Sequence, residues 1–439
     1  MISAKFLFPQ KFTWGTAISS HQVEGGHPDN NWTAWEKQPG RIFENGLSNP
    51  GCDWWGGGRW REDLTRAAES GQNAHRFSIE WARVQPTPDS WDESAIDFYR
   101  EIMRAMIERG LRPMVTLHHF TDPLWFTEQG GWLNPAAPAL FRGYVEKIVP
   151  ALKELTNEWI TINEPNVYIY NGYLTGAFPP GKAFALKEAA AVLRIMIEAH
   201  AAAYRAIHER QPEAAVSIAI NHMDFMSKTP ALPDRWTTAF FDRVFNRSFI
   251  DVLAKGSFSY GPLRIRSAAA RNAFDFLGLN YYTGKQVRFS TDLNLAMSFP
   301  PGASLSDTGF LANEPDSFAN ALRWAGSYGK PVVVTENGVE NDEDSFRREY
   351  IGDQIYQLWR AISAGIPVTG YYHWSLVDNF EWERGWTQRF GLWRLDLATG
   401  KREKRPSADF YAAICRKNAL EAEDLKTYAP VVYDRIFKD

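Results

Sequence analysis

The chain has almost no cysteine: Cys52 and Cys415 are the only two thiols among 439 residues. Two thiols so far apart give neither a disulfide framework nor a zinc-ligand spacing, and they suit a reducing compartment. It also has no basic excess. Forty-eight Lys and Arg stand against 52 Asp and Glu, leaving a formal net charge of −4. Nothing is left over to neutralise a phosphate backbone, so nucleic acid is not an expected partner. No stretch reaches the roughly 18 consecutive apolar residues of a membrane span, so no membrane partner is expected. The opening MISAKFLFPQKFTWG is broken by Pro9, Gln10 and Lys11, which does not read as a secretory leader; a cytoplasmic location is the expectation. HExxH, CxxC and clustered-Asp motifs are missing, so no metal site is expected. Low-complexity linkers and composition breaks are missing as well, which points to a single domain over residues 1–439.

Aromatic residues, by contrast, are plentiful at 14%, with 18 Trp. A Trp is a demanding core filler because its N–H needs a partner, although its flat face also suits the C–H face of a sugar ring. Most of these Trp read as core. Eight short β-like runs recur: 13–19, 73–79, 112–119, 158–164, 215–222, 274–282, 330–336 and 368–376. Several are continuous apolar stretches such as Pro331-Val332-Val333-Val334, as expected of parallel strands covered on both faces. Helical periodicity lies between them. In 94–109 it runs through Ile96, Tyr99, Ile102, Met103, Met106 and Ile107, with Gly110 as a left-handed stop. Segments 138–155, 189–210, 316–328, 345–364 and 406–420 complete the helical set. This alternation predicts an α/β fold, a (β/α)₈ barrel. A doubly wound sheet would need a phosphate-binding glycine turn after its first strand, and Gly15-Thr16-Ala17 is not one.

A barrel carries its chemistry at the C-terminal ends of the strands. Polar or aromatic groups follow every predicted strand: Gln22 and Glu24, Arg76, His118-His119, Asn163-Glu164, Asn221-His222, Asn280-Tyr281-Tyr282, Glu336-Asn337 and Trp374. Glu164 and Glu336 end buried runs on the fourth and seventh strands, which face each other across an eight-stranded barrel. Glycoside hydrolysis needs such a pair, one to protonate the leaving oxygen and one to attack or activate water. Each has a plainer reading. Glu164 precedes Pro165 at a helix start, and Asn337-Gly338 after Glu336 has the composition of a type I′ hairpin turn. Arg76 favours the catalytic reading, because it can hold one carboxylate ionised while an apolar setting keeps the other protonated. His118 and His119 point to opposite faces of a strand and do not readily share an ion. The stretch from Gly176 to Lys182 imitates a phosphate-binding loop, but Ala183 replaces its Ser or Thr and Pro179-Pro180 remove backbone donors.

The segments FTWGTAISSHQVEGG (12–26), RFSIEW (76–81), TLHHF (116–120), TINEP (161–165), GLNYYT (278–283), TENG (335–338) and WSLVDNFEWERGWTQRFGL (374–392) resemble glycoside hydrolase family 1, in this order over nearly the whole chain. The resemblance implies a (β/α)₈ barrel that hydrolyses β-glycosides, including β-linked oligosaccharides, with retention and without a cofactor. It implies Glu164 as general acid/base and Glu336 as nucleophile, with Arg76 and Tyr282 orienting the latter. Gln22, His119, Asn163, Asn280, Trp374, Glu381 and Trp382 are then expected around the non-reducing sugar. A retaining pair of carboxyl groups lies about 5–5.5 Å apart, and that short spacing is the expectation.

Two segments depart from the family pattern. Phe120 stands where Trp is usual, followed by Thr121-Asp122-Pro123, and 53–60 (DWWGGGRW) replaces a His/Tyr-rich stretch. Glu381-Trp382 occupies the place where phospho-glycosidases grip a 6-phosphate, and Glu164 is not the Gln of myrosinase-like enzymes. The expected activity is a β-glucosidase with β-galactosidase or β-fucosidase activity beside it. A transglycosidase with the same residues, and a non-catalytic sugar-binding barrel, are the competing readings.

Overall fold

The computed structural model describes residues 4–291 and 296–438. Eight strands close into a barrel. They are β1 (Thr13–Ala17), β2 (Ala74–Ser78), β3 (Arg112–His118), β4 (Glu158–Asn163), β5 (Ala215–Asn221), β6 (Leu277–Tyr281), β7 (Val332–Asn337) and β8 (Val368–His373). Every pairing is parallel, sequence neighbours are sheet neighbours, and β8 pairs with β1. Each predicted run contains or overlaps one of these strands. The match follows from burial on both faces: β1, β2 and β6 have no exposed residue, so the signal is an apolar run rather than an alternation.

A helix follows each strand: α1 (Trp60–Glu69), α2 (Glu93–Glu108), α3 (Ala137–Leu152), α4 (Leu186–Arg210), α5 (Ser248–Lys255), α6 (Pro315–Gly326), α7 (Ser345–Ser363) and α8 (Pro406–Lys417). In α2, Asp92 caps the start by accepting from the amides of Ser94 (2.9 Å) and Ala95 (3.1 Å), and Gly110 at φ 76° follows its end. Of its predicted stripe, Ile96, Tyr99, Ile102, Met103 and Met106 form the buried face, whereas Ile107 at the helix end is 46% exposed. Two helices escape the periodicity analysis. In α1 the polar residues dominate, and only Trp60, Asp63, Leu64 and Ala67 are buried. In α5 Phe249, Ile250, Val252 and Leu253 form a short apolar cluster that periodicity does not separate from a strand.

The unusual 53–60 segment has a structural role. Asp53 accepts both terminal nitrogens of Arg402 at 2.6 Å each. The same guanidinium reaches Asp63 on α1 at 3.1 and 3.2 Å, and the Trp54 indole donates to Asp63 at 2.9 Å. The cluster ties α1 to the hairpin strand Arg402–Lys404 that leads into α8. Burial pushes the Asp63 carboxyl up, opposed by Arg402. Arg402→Met leaves the buried Asp63 with Arg66 (2.7 Å) as its remaining cation, and the expected cost is about 1.5–3 kcal/mol. Asp53→Asn should cost less, because Asp53 keeps 25% of its side chain exposed. Denaturant unfolding of both variants checks this, and an unchanged midpoint for Arg402→Met would refute it.

Candidate active site

A cavity of about 420 Å³ opens at the C-terminal ends of the strands. Glu164 and Glu336 both line it, together with His119, Asn163, Tyr282, Trp374, Glu381 and Trp382. Arg76, Gln22 and Asn280 do not line it; they are buried directly behind residues that do.

Arg76 projects from β2 into the barrel centre and is 1% exposed. Its Nη1 donates to Glu336 Oε1 at 2.6 Å and to the Thr335 carbonyl at 3.2 Å. Its Nη2 donates to Asn163 Oδ1 at 2.7 Å and its Nε to Thr116 Oγ1 at 3.0 Å. The Tyr282 hydroxyl donates to the other oxygen of Glu336 at 2.6 Å. Both oxygens of Glu336 are therefore held. Burial raises its pKa, while Arg76 and the Tyr282 hydrogen bond oppose that rise.

Glu164 is held differently. Its Oε1 accepts from the amides of Asn280 (2.8 Å) and Asn221 (2.9 Å). No cation among the described residues bonds it directly. Burial, followed by the charge of Glu336, pushes its pKa up to about 8. Asn280 also donates to Asn163 Oδ1 at 3.1 Å and accepts from Thr335 Oγ1 at 2.6 Å, so one amide links the two halves of the pair.

The plainer readings of both carboxylates can now be tested. Glu164 does sit at the start of a short helix, Pro165–Ile169, but its side chain caps nothing. Neither Asn337 nor Gly338 has a positive φ, so no type I′ turn forms after Glu336. Asn337 ends β7, with its side-chain amide donating to the Tyr281 carbonyl (2.8 Å) and the Tyr350 hydroxyl (2.9 Å). Gly338 is required for another reason: a Cβ there would lie 1.9 Å from the Trp374 carbonyl oxygen.

The pleat separates the two histidines as expected. His118 faces away from the cavity and meets Asp122 at 3.0 Å. Asp122 also accepts from Trp132 (2.9 Å), Tyr168 (2.7 Å) and Asn31 (3.2 Å), so the departure at 121–123 anchors a loop. His119 lines the cavity, its Nε2 3.2 Å from the Asn163 amide nitrogen. Burial and the Arg76 charge hold its pKa well below the usual range. The neutral ring accepts at Nε2, and Nδ1 has no protein partner.

The loop after β8 supplies the far wall. Glu381 Oε2 accepts from Asn379 (3.0 Å) and from Gln22 (3.2 Å), and Gln22 is itself fixed by Ser19 and the Phe380 carbonyl. Burial pushes Glu381 up to about 8. The Trp374 and Trp382 rings each stack on His119 at 6.0 Å. Glu164 (φ 44°), Phe120 (φ 68°) and Trp382 (φ 50°) all hold left-handed backbone, and all three line the cavity. Such conformations cost roughly 1–3 kcal/mol each and concentrate at sites where a side chain must be aimed. Thr116 and Thr335 lie inside strands and carry no signal in the sequence, and Asn221 is marked there only as a polar residue at the end of the fifth strand.

The sequence profile described as "Glycosyl hydrolase family 1" matches residues 4–420. Among curated proteins, "Beta-glucosidase A" of Thermotoga maritima is 29% identical over 94% of this chain and 99% of its own. "Beta-galactosidase" of Sulfolobus acidocaldarius is 30% identical over 97% and 98%. Among solved structures, the "beta-glycosidase from Pyrococcus horikoshii" superimposes with a TM-score of 0.88 at 33% identity, covering 97% of this chain and 98% of that one. The Thermotoga maritima β-glucosidase in complex with glucoimidazole gives 0.86 at 28% identity, over 94% and 100%. The closed parallel barrel, the paired carboxylates over its mouth and a family match across nearly the whole length agree: the chain belongs to glycosyl hydrolase family 1.

Proposed function

We propose that the protein is a retaining exo-β-glycosidase acting on the non-reducing terminal β-D-glucosyl residue of β-glycosides, with galactosyl and fucosyl residues also accepted. The observation that carries this reading is the asymmetry of the pair. Glu336 is held by a guanidinium and a phenol, whereas Glu164 is held by two neutral amides. Their surroundings separate an ionised nucleophile from a protonated acid.

In the first step Glu336 attacks the anomeric carbon while Glu164 passes its proton to the leaving oxygen. Loss of the Glu336 charge in the covalent intermediate removes one cause of the raised Glu164 pKa, so Glu164 becomes more acidic. It then serves as base for the water that releases the sugar with its β-configuration restored. Asn163, fixed by Arg76 and His119, is placed for the 2-hydroxyl, where contacts tighten in the transition state. His119, Glu381 and Trp382 supply polar groups and a ring face for the remaining hydroxyls, over the Trp374 floor. The relatives named β-glucosidase and β-galactosidase support the sugar specificity. The two buried, unpaired thiols support a reducing, cytoplasmic setting.

Glu336→Ala should lower kcat on p-nitrophenyl β-D-glucoside by at least about 10⁴-fold, because a covalent step is lost. Azide should restore slow turnover through the vacated space and yield the α-glycosyl azide, identified by NMR. Near-wild-type rates in that variant would refute the assignment.

Glu164→Gln should lower kcat/KM by about 10²–10⁴-fold on glycosides with poor leaving groups and much less on 2,4-dinitrophenyl β-D-glucoside. The wild-type acid must be protonated to act, so its rate should fall as pH rises through the neighbourhood of 8. That alkaline limb should be missing from the Glu164→Gln profile. A limb that survives the substitution assigns the proton to another group.

A further inference from the structure

A second cavity of about 630 Å³ lies beside the first. Its lining is almost wholly apolar, with Leu174, Leu193, Phe241 and Val244 among the walls, and no part of the mechanism above uses it. The two cavities share two side chains, Tyr170 and Phe245. These rings meet edge to face, with centroids 5.9 Å apart at 88°, and form a partition. Each sits on a π-helical turn, Tyr170–Leu174 and Asp242–Arg247. Such turns interrupt regular helices mostly at functional sites, because they re-aim a side chain.

The partition is wired to the reacting pair. Asn166 donates to the Phe245 carbonyl (3.3 Å) and to the Asn221 carbonyl (2.7 Å), and Asn221 donates to Glu164 Oε1 (2.9 Å). The far end of the cavity opens to solvent past Leu186 and Phe240, which are 66% and 44% exposed. A soluble chain seldom leaves such apolar faces around an apolar hollow without an occupant.

We infer that this cavity binds the apolar tail of the leaving group, so that the substrates served best are β-glycosides of long-chain alcohols or aglycones of similar chemistry. The inference rests on the glycosidase reading above and specifies its leaving-group side. An alkyl chain leaving the anomeric oxygen meets Tyr170 and Phe245 as it exits the catalytic cavity. Its continuation lies against hydrocarbon rather than water.

The test uses kcat/KM for butyl, hexyl and octyl β-D-glucoside, below their aggregation concentrations, in the wild type, Ala190→Trp and Leu186→Glu. Ala190 lines the cavity from α4, so the indole fills it; Leu186 is at the exposed mouth, where a charge is tolerated by folding. A buried methylene is worth about 0.8 kcal/mol, so wild-type kcat/KM should rise by about fourfold per methylene. Filling the cavity should flatten the series, and Leu186→Glu should lower the octyl-to-butyl ratio by about threefold or more. A flat wild-type series, or a steep one untouched by both variants, overturns the inference. Calorimetric titration of 1-decanol into the intact wild-type enzyme tests the cavity without chemistry. Saturable binding that Ala190→Trp removes supports the cavity as a tail site, and no binding overturns it. If decanol binds but no glucoside is hydrolysed, the glycosidase reading fails while the apolar site stands. A concentration-dependent dimer that decanol dissociates would reassign this face to a second copy of the chain and overturn the inference.

Discussion

The site is organised around one buried cation. Arg76 sits in the barrel centre at 1% exposure, where an unpaired charge is not sustainable. Four of its five N–H donors have partners among the described residues. Its bonds run to Glu336, Asn163, Thr116 and the Thr335 carbonyl, which lie on strands β7, β4, β3 and β7. Removing Glu336 strands the guanidinium, and removing Arg76 strands the carboxylate. The electrostatics of the pair and the integrity of the barrel centre are thus the same set of bonds. The left-handed backbone at Glu164 is possible for a related reason: its amide donates to the Ala219 carbonyl at 2.8 Å and its own carbonyl accepts from Tyr168 at 3.0 Å. A strained residue persists when its neighbours over-determine it.

From that centre the structure separates two tasks. The inner layer of Arg76, Asn280, Gln22 and Thr335 touches functional side chains and is buried, while Asn221 holds Glu164 from the cavity wall. The outer layer of Glu164, Glu336, His119, Trp374, Glu381 and Trp382 faces it. Functional groups placed on strand ends inherit the rigidity of the sheet, and an inner layer that fixes their rotamers limits reorganisation during the reaction.

Much of this is legible in the sequence, for definite reasons. Strands buried on both faces announce themselves as apolar runs, and the residue after each run marks the rim. Glu164, Glu336 and Arg76 are therefore visible from position and chemistry alone. The less legible parts have physical causes. The short helices α1 and α5 carry too few turns for periodicity to separate them from strands or loops. Local composition misreads Asn337-Gly338, because a tertiary contact rather than a turn demands the glycine. Asn280 and Gln22 are buried and hydrogen-bond Asn163, Glu164 and Glu381, a supporting arrangement that a linear reading does not show. The depth at which a strand end stops is a three-dimensional quantity, and no spacing records it. Asp122 and Arg402, which hold whole segments in place, are equally unremarkable as letters.

Phe120 shows how a departure in sequence can leave a frame intact and change its chemistry. Its backbone keeps the left-handed conformation at φ 68°, and its carbonyl accepts from Asn31 at 3.1 Å. The next anchor, Asp122, is fixed four ways, so the loop does not depend on the side chain at 120. The phenyl ring packs edge to face on Phe178 (5.4 Å) and Trp382 (5.1 Å), continuing an apolar wall. What is lost relative to an indole is one N–H donor and the second ring of the bicycle. The neutral His119 beside it has an Nδ1 with no hydrogen-bond partner among the described residues. Its Nε2 faces the Asn163 amide, and Asn163 is fixed by Arg76. The ring at the cavity wall and the carboxylate of Glu336 consequently depend on one buried guanidinium, and neither can be altered at that point without disturbing the other.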